Sequence, residues 1–247
     1  MTTEGGRAYI HIICPDCGTD TIGRKEPNCD CGRALPSTFV IPYETEWDYS
    51  EDLVAILQQH SGLRLMGRCA GRDSENIDLL NHAEYLYLSR YPKFTFSLLA
   101  SFSALEVLEL DLTDLRSLKG IGRVTSLRSF TATECKKLES IDDLADVPNL
   151  TVLDLALCNK INDLSPAATC TLLKGLRFEG RELRDIQFTG GMASLKTAVL
   201  NCTVKSGDLT PLEGTSIQRL VIRKRAFEKP MIKHFRLRMP NCQIELI

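Results

Sequence analysis

Cysteine is the residue type in this chain best suited to chemistry, and four of its ten copies crowd near one end. Cys14 and Cys17 form a CxxC step followed by Gly18, and Cys29 and Cys31 form a CxC step followed by Gly32. Two thiolates at CxxC spacing can hold one metal ion while the amides of the turn face the sulfurs. A glycine directly after such a step supplies the positive φ that the turn commonly needs. His11, three residues ahead of Cys14, is a further donor in the same stretch. The competing readings are reduced thiols in a loop, or two disulfides if the chain is exported.

Beyond these thiols the residues offer little for catalysis. The four histidines, His11, His60, His82 and His234, form no HxH, HExxH or Cys/His/Asn arrangement, and no GxSxG or phosphate-binding glycine loop occurs. Gly190-Gly191 reads as a turn. Glu109 and Asp111 share one strand face, where they are expected to meet a cation on a partner and not to share a catalytic proton. No enzymatic activity is expected.

The elements that must position the cysteines are short. Ala8–Ile13 and Thr38–Ile41 flank them with strand character, so residues 1–42 are read as one small module. This module resembles a zinc ribbon, in which two knuckles on a small β-sheet clamp one tetrahedral Zn²⁺. The resemblance implies Cys14, Cys17, Cys29 and Cys31 as the ligands of a closed, structural zinc site. The CxC step departs from the usual CxxC, and its tighter bite strains the tetrahedron, which leaves His11 as a substitute for one sulfur. A segment of about forty residues buries too little apolar surface to fold alone, so metal would supply much of its stability.

Residues 43–62 follow as a polar, acidic linker that holds the single tryptophan, Trp47, and then one short helix. Ser50 is the N-cap candidate, Glu51 and Asp52 suit the positive end of the helix dipole, and Gly62 is the stop. Leu53, Ile56 and Leu57 make one apolar face. Such a helix is expected to cover the first open edge of what comes next.

Residues 63–247 are periodic. Leu105-x-x-Leu108-x-Leu110 is followed by Leu115, Leu118, Ile121 and Val124, and later units open at Leu127, Leu150, Leu173, Leu195 and Ile217. These spacings of 22, 23, 23, 22 and 22 residues mark a solenoid. Leu63/Leu65 and Leu86/Leu88 extend the register backward, and Ile244/Leu246 close it. About nine short parallel strands are therefore expected, each sending two side chains inward. The spacing of about three in the intervening apolar residues points to 3-10 or irregular turns.

The skeleton and period resemble leucine-rich repeat proteins of the short bacterial type, over about three quarters of the chain. The resemblance implies an α/β-type, right-handed leucine-rich repeat solenoid with a concave parallel sheet. It also implies a column, eighth after each opening residue, where an asparagine usually bonds the backbone between turns. Here that column reads Thr113, Cys135, Cys158, Arg181, Thr203 and Arg225. Cysteine and threonine substitute as small buried donors, and the arginines point to irregular later turns.

Strand side chains alternate, so residues flanking each inward pair face the concave side. The candidate protein-binding residues there are Arg64, Tyr85, Tyr87, Glu109, Asp111, Thr131, Asp154, Arg177, Glu179, Arg219 and Arg223. Two tyrosines side by side suit an interface, the middle is acidic, and the last strand is basic. A further basic cluster, from Lys224 and Arg225 through Lys229, Lys233, Arg236 and Arg238, reads as a solvated cap more than a nucleic-acid site.

The net charge of −2 gives no global attraction to nucleic acid or to an anionic membrane, and 43% apolar with 25% charged residues is a globular composition. The first residues lack a basic n-region and an apolar h-region, and no apolar run approaches the ~18 residues of a membrane span. A cytoplasmic monomer with no membrane contact is expected. Among bacterial repeat proteins of this size, the resemblance implies an immunity protein that occludes a toxin, and a basic toxin domain would suit the acidic middle. The alternatives are a nucleic-acid or regulatory module using the zinc ribbon and basic C-terminal repeat, and an effector or adaptor that binds another protein.

Overall fold

The computed structural model describes residues 31, 38–41, 61–66, 80–91 and 94–247. Each inward LxL pair lies at the heart of a short strand. In order the strands are β1 (Thr38–Ile41), β2 (Gly62–Met66), β3 (Tyr85–Ser89), β4 (Val107–Asp111) and β5 (Ser129–Thr133). Then follow β6 (Val152–Ala156), β7 (Gly175–Leu183), β8 (Thr197–Val204), β9 (Arg219–Ile222) and β10 (Gln243–Leu246). All ten pair in sequence order and in parallel.

Nine strands follow from the LxL pairs, and the tenth is β1. Thr38–Ile41, assigned from sequence to the cysteine module, pairs in parallel with β2 and joins the solenoid sheet. Its TFVI stretch carries strand-forming residues without the leucine pair that marks the others. The Ala8–Ile13 strand, Trp47 and the helix expected after Ser50 lie outside the described residues.

The register places Leu86, Leu108, Phe130, Leu153, Leu176, Ala198 and Leu220 in one inward row. Each is at most 1% exposed, so the row is a continuous apolar stack. Phe130 is the large member, and its ring centroid lies 6.1 Å from that of Phe96 in the convex turn before β4. Burying a leucine here contributes on the order of 1.5–3 kcal/mol. The convex side is built from 3-10 turns at Phe96–Leu99, Ile121–Arg123, Asp142–Asp146, Ser165–Thr169, Gln187–Gly191 and Thr210–Gly214. That is the short-period geometry expected from apolar residues about three apart. Asp163, Asp185 and Asp208 open three of these turns by accepting from the backbone N–H two residues on.

The chain turns the corner after β3 to β6 on four non-glycine residues with positive φ: Arg90, Leu112, Glu134 and Leu157. Such a conformation costs about 1–2 kcal/mol for a residue with a side chain. Each corner is held by its own N–H, which donates to the next rung: Arg90 to Asp111, Leu112 to Thr133, Glu134 to Ala156 and Leu157 to Glu179. Just inside these corners Thr113, Cys135 and Cys158 are buried as expected. Cys135 and the Thr113 hydroxyl lie 3.1 Å apart. Cys158 donates to the Ala132 carbonyl at 3.4 Å.

The column breaks at the next rung. Where a fifth left-handed corner would stand there is Gly180, and β7 runs on to Leu183 with a register shift between Glu179 and Glu182. Arg181, Thr203 and Arg225 are exposed, so these members of the column do not act as buried donors. The irregularity expected from Arg181 is this extension. After β9 the chain forms helix α1 (Lys229–Arg238), which the charge-dominated reading of a cap did not anticipate. Its buried Ile232 and Phe235 sit three apart, with Pro230 in the first turn as the helix-start signal.

Two measurements follow. A Cβ at Gly180 would stand 2.4 Å from Cζ of the buried Phe178 ring. Gly180→Ala is expected to lower the urea-unfolding free energy by about 1–3 kcal/mol through overpacking. Gly191→Ala, with nothing within 4 Å of the new carbon, should be nearly neutral, and equal losses would contradict the packing. The buried thiols set the alkaline limit. Burial pushes Cys202 from 9.0 up to about 12 against the pull of Arg223, and burial also raises Cys170. The hydrogen bond between Cys135 and Cys158 lowers Cys135 to about 7 and raises Cys158, so these two oppose each other and the alkaline trend rests on Cys202 and Cys170. A thiol raised on folding favours the folded chain fully below its ordinary value of 9.0 and loses that contribution as pH climbs toward the folded value. Stability should therefore decline above about pH 9, and Cys202→Ala should decline less steeply while being less stable at neutral pH.

Candidate binding face on the concave sheet

Strands in a sheet lie about 4.8 Å apart, so equivalent outward side chains on successive rungs touch one another. The central outward row runs Arg64, Tyr87, Glu109, Thr131, Asp154, Arg177, Val199 and Val221. A second row, nearer the strand C-termini, runs Ser89, Asp111, Thr133, Ala156, Glu179 and Asn201, and Arg223 continues it just past β9. Every candidate expected from alternation holds an outward register position in the sheet or, for Arg223, directly beyond it.

Exposure is where the structure departs from expectation. Tyr85 is fully buried, and Glu109 and Asp154 are 7% and 4% exposed. The Tyr85 ring packs with Val107 and Tyr87 in a small apolar cluster separate from the main core. Tyr85 is thus a support for the face and not a contact for a partner. Close strand spacing is the reason, since a ring on one rung lies over the rung beside it.

Two polar networks organise the face. Both tyrosines of β3 reach diagonally to carboxylates of β4: Tyr85 Oη donates to Glu109 Oε2 at 3.2 Å, and Tyr87 Oη to Asp111 Oδ2 at 3.1 Å. Ser89 Oγ donates to the same Asp111 oxygen at 3.0 Å. Hydroxyl donors orient Asp111 without neutralising it. The second network centres on Arg177 of β7, whose Nη1 lies 3.5 Å from Asp154 Oδ2 and whose Nε donates to Glu179 Oε1 at 3.0 Å. Thr131, half-buried, lies in register between Glu109 and Asp154 and separates the two groups.

Toward the C-terminal end the sign changes. Arg223 donates to Asn201 Oδ1 at 3.1 Å, to the Asn201 carbonyl at 3.0 Å and to the Gly180 carbonyl at 3.5 Å. These acceptors are neutral, so Arg223 keeps its charge while losing its freedom. Arg219 pairs with Glu245 of β10 at 3.1 Å in a more exposed setting. Ser89 and Asn201, outward by the same alternation, are the uncharged neighbours that hold Asp111 and Arg223. The 22-residue offset to Asp111 and Arg223 is the signal that finds them.

The metal-binding candidates Cys14, Cys17 and Cys29, with His11, lie outside the described residues, as does the side chain of Arg64. Cys31 lies in an exposed turn. Among the described residues no three metal-ligating side chains come together.

No protein-family model matches the sequence, and no curated protein matches it. Solved structures do. An internalin C2 from Listeria monocytogenes is similar over 70% of this chain and 75% of its own, at 20% identity and a TM-score of 0.55. An internalin InlF from the same organism covers 75% of this chain and 66% of its own, at 14% identity and a TM-score of 0.44. A leucine-rich repeat protein of Leptospira interrogans covers 69% and 56%, at 15% identity and a TM-score of 0.39. With ten parallel rungs, 3-10 turns behind them and the internalin C2 likeness, the described chain has the fold of a leucine-rich repeat solenoid.

Proposed function

We propose that the chain is a non-catalytic, cytoplasmic binding scaffold that takes one protein partner on its concave face. The partner is a basic bacterial toxin domain, which the chain neutralises by covering it, as an immunity protein does. The observation that carries this reading is the pair of partly exposed carboxylates on one sheet face, Asp111 and Glu179, oriented by the Tyr87 and Ser89 hydroxyls and by Arg177, with Glu109 and Asp154 buried alongside them. Groups ordered before contact lose little freedom on binding. A basic surface approaching such a face is steered to it, and like-charged surfaces are rejected.

At the N-terminal end the reading keeps one structural Zn²⁺ on Cys14, Cys17, Cys29 and Cys31. Four thiolates form a donor set suited to that ion and leave no position open for a substrate.

The partner test uses a toxin domain encoded beside this chain's own gene. The intact chain should bind it, and Thr131→Arg, which fills the gap between Glu109 and Asp154 with opposing charge, should weaken binding on the order of 100-fold. Asp111→Asn should weaken it roughly tenfold, mainly through slower association at low salt. Unchanged binding by both variants, with melting curves like the parent's, would sink the concave-face reading. Elemental analysis tests the zinc site: about one zinc per chain is expected, lost when Cys14 and Cys17 are both serine. Purified chain free of zinc under reducing conditions would refute that assignment.

A further inference from the structure

Several exposed lysines of the repeats stand against carboxylates, as Lys137 does with Asp114, Lys160 with Glu139 and Lys205 with Glu182. At the C-terminal end this pattern stops. Lys224, Arg225, Lys229, Lys233 and Arg236 are all exposed and make no ion pair among the described residues. Glu213 stands 3.3 Å from both Arg238 and His234, and Glu245 pairs with Arg219, which leaves Glu228 at the helix N-cap as the exposed acid beside the group.

Helix geometry decides where these charges point. Lys229, Lys233, Arg236 and Leu237 stand at i, i+4, i+7 and i+8, which is one face of α1. Ile232 and Phe235, buried in the solenoid, lie to one side of that face, and Leu237 is the member turned farthest from them. Leu237 is 73% exposed, so an aliphatic side chain projects into solvent from among the cations. Ile247, 48% exposed, has its carbonyl bound by the Lys224 N–H at 2.7 Å, which brings a second exposed aliphatic residue to a cation of the group.

Charge alone would suit any polyanion, and the uncharged members of the surface discriminate. A nucleic-acid strand is held by cations together with aromatic platforms on which bases stack. Here the aromatics of the region, Phe227 and Phe235, are buried, and the exposed apolar residues are aliphatic. Cations around a projecting leucine match an anionic lipid surface, where the headgroups meet the charges and the leucine enters the acyl boundary.

We propose that the C-terminal end of the solenoid is a peripheral docking surface for an anionic lipid bilayer, with Lys224, Arg225, Lys229, Lys233 and Arg236 against the headgroups and Leu237 inserted between them. Among the described residues no helix is long and apolar enough to cross a membrane, so α1 lies along the surface. The surface acts independently of the concave face, which remains open to a protein partner.

Co-sedimentation with vesicles tests this, using phosphatidylcholine alone and phosphatidylcholine with about one third phosphatidylglycerol, at ~0.1 M salt where the Debye length is near 10 Å. The full chain should sediment with the anionic vesicles only and be released as salt rises. Neutralising three cations together (K229Q, K233Q, R236Q) should weaken binding at least roughly tenfold. Leu237→Ser, which leaves the charge unchanged, should weaken it several-fold. All four positions are exposed, so melting curves should match the parent. Equal sedimentation with both vesicle types, none with either, or a triple variant that binds like the parent would each overturn the proposal. So would capture of a duplex oligonucleotide that the triple variant loses while Leu237→Ser changes neither ligand, which would assign the surface to nucleic acid.

Discussion

A single repeat of this chain has two inward leucines and nowhere to bury them except against the next repeat. That constraint governs the molecule, because its strand pairing and most of its packing are between nearest neighbours along one axis. The inward stack from Leu86 to Leu220 satisfies it rung by rung, and the parallel backbone ladder locks the register that keeps the leucines aligned. A slip of one residue on any strand would turn its leucines to the concave side and its polar residues into the core.

The same ladder makes the strained corners tolerable. Arg90, Leu112, Glu134 and Leu157 hold a conformation that side chains disfavour, yet each corner N–H donates to the rung ahead. The buried column of Thr113, Cys135 and Cys158 lies inside that curve, where a small donor fits and a long one does not. When the column reaches an arginine the tight corner is gone, and β7 and β8 lengthen instead. Local chemistry at one position per repeat therefore sets the outline of the rim.

Function, on this architecture, depends on what the open face and the open end present. The concave face holds its carboxylates by hydrogen bonds and an ion pair, so the two left partly exposed, Asp111 and Glu179, are already in place. The C-terminal end is closed by a helix whose inner face completes the core and whose outer face carries cations and a leucine. A chain with a net charge of −2 thus displays regions of opposite sign, because folding sorts residues that the overall composition averages.

Much was legible before any coordinates. The LxL period, near 22 residues, determines parallel rungs, the inward rows and which residues face outward, since strand alternation admits one solution once one face must be buried. Apolar spacing of about three on the convex side determines the 3-10 turns. What the sequence by itself did not determine is accessibility. Tyr85 and Asp154 alternate outward as a surface residue would, but neighbouring rungs cover them, and that contact depends on side chains some 22 residues away in sequence. Nor did it determine that Thr38–Ile41 joins the solenoid, because pairing of a lone strand is decided by the edge it meets. Helix α1 was hidden for a related reason: its two buried positions are outnumbered by charge, and only docking against the last convex turn separates the face that packs from the face that remains exposed.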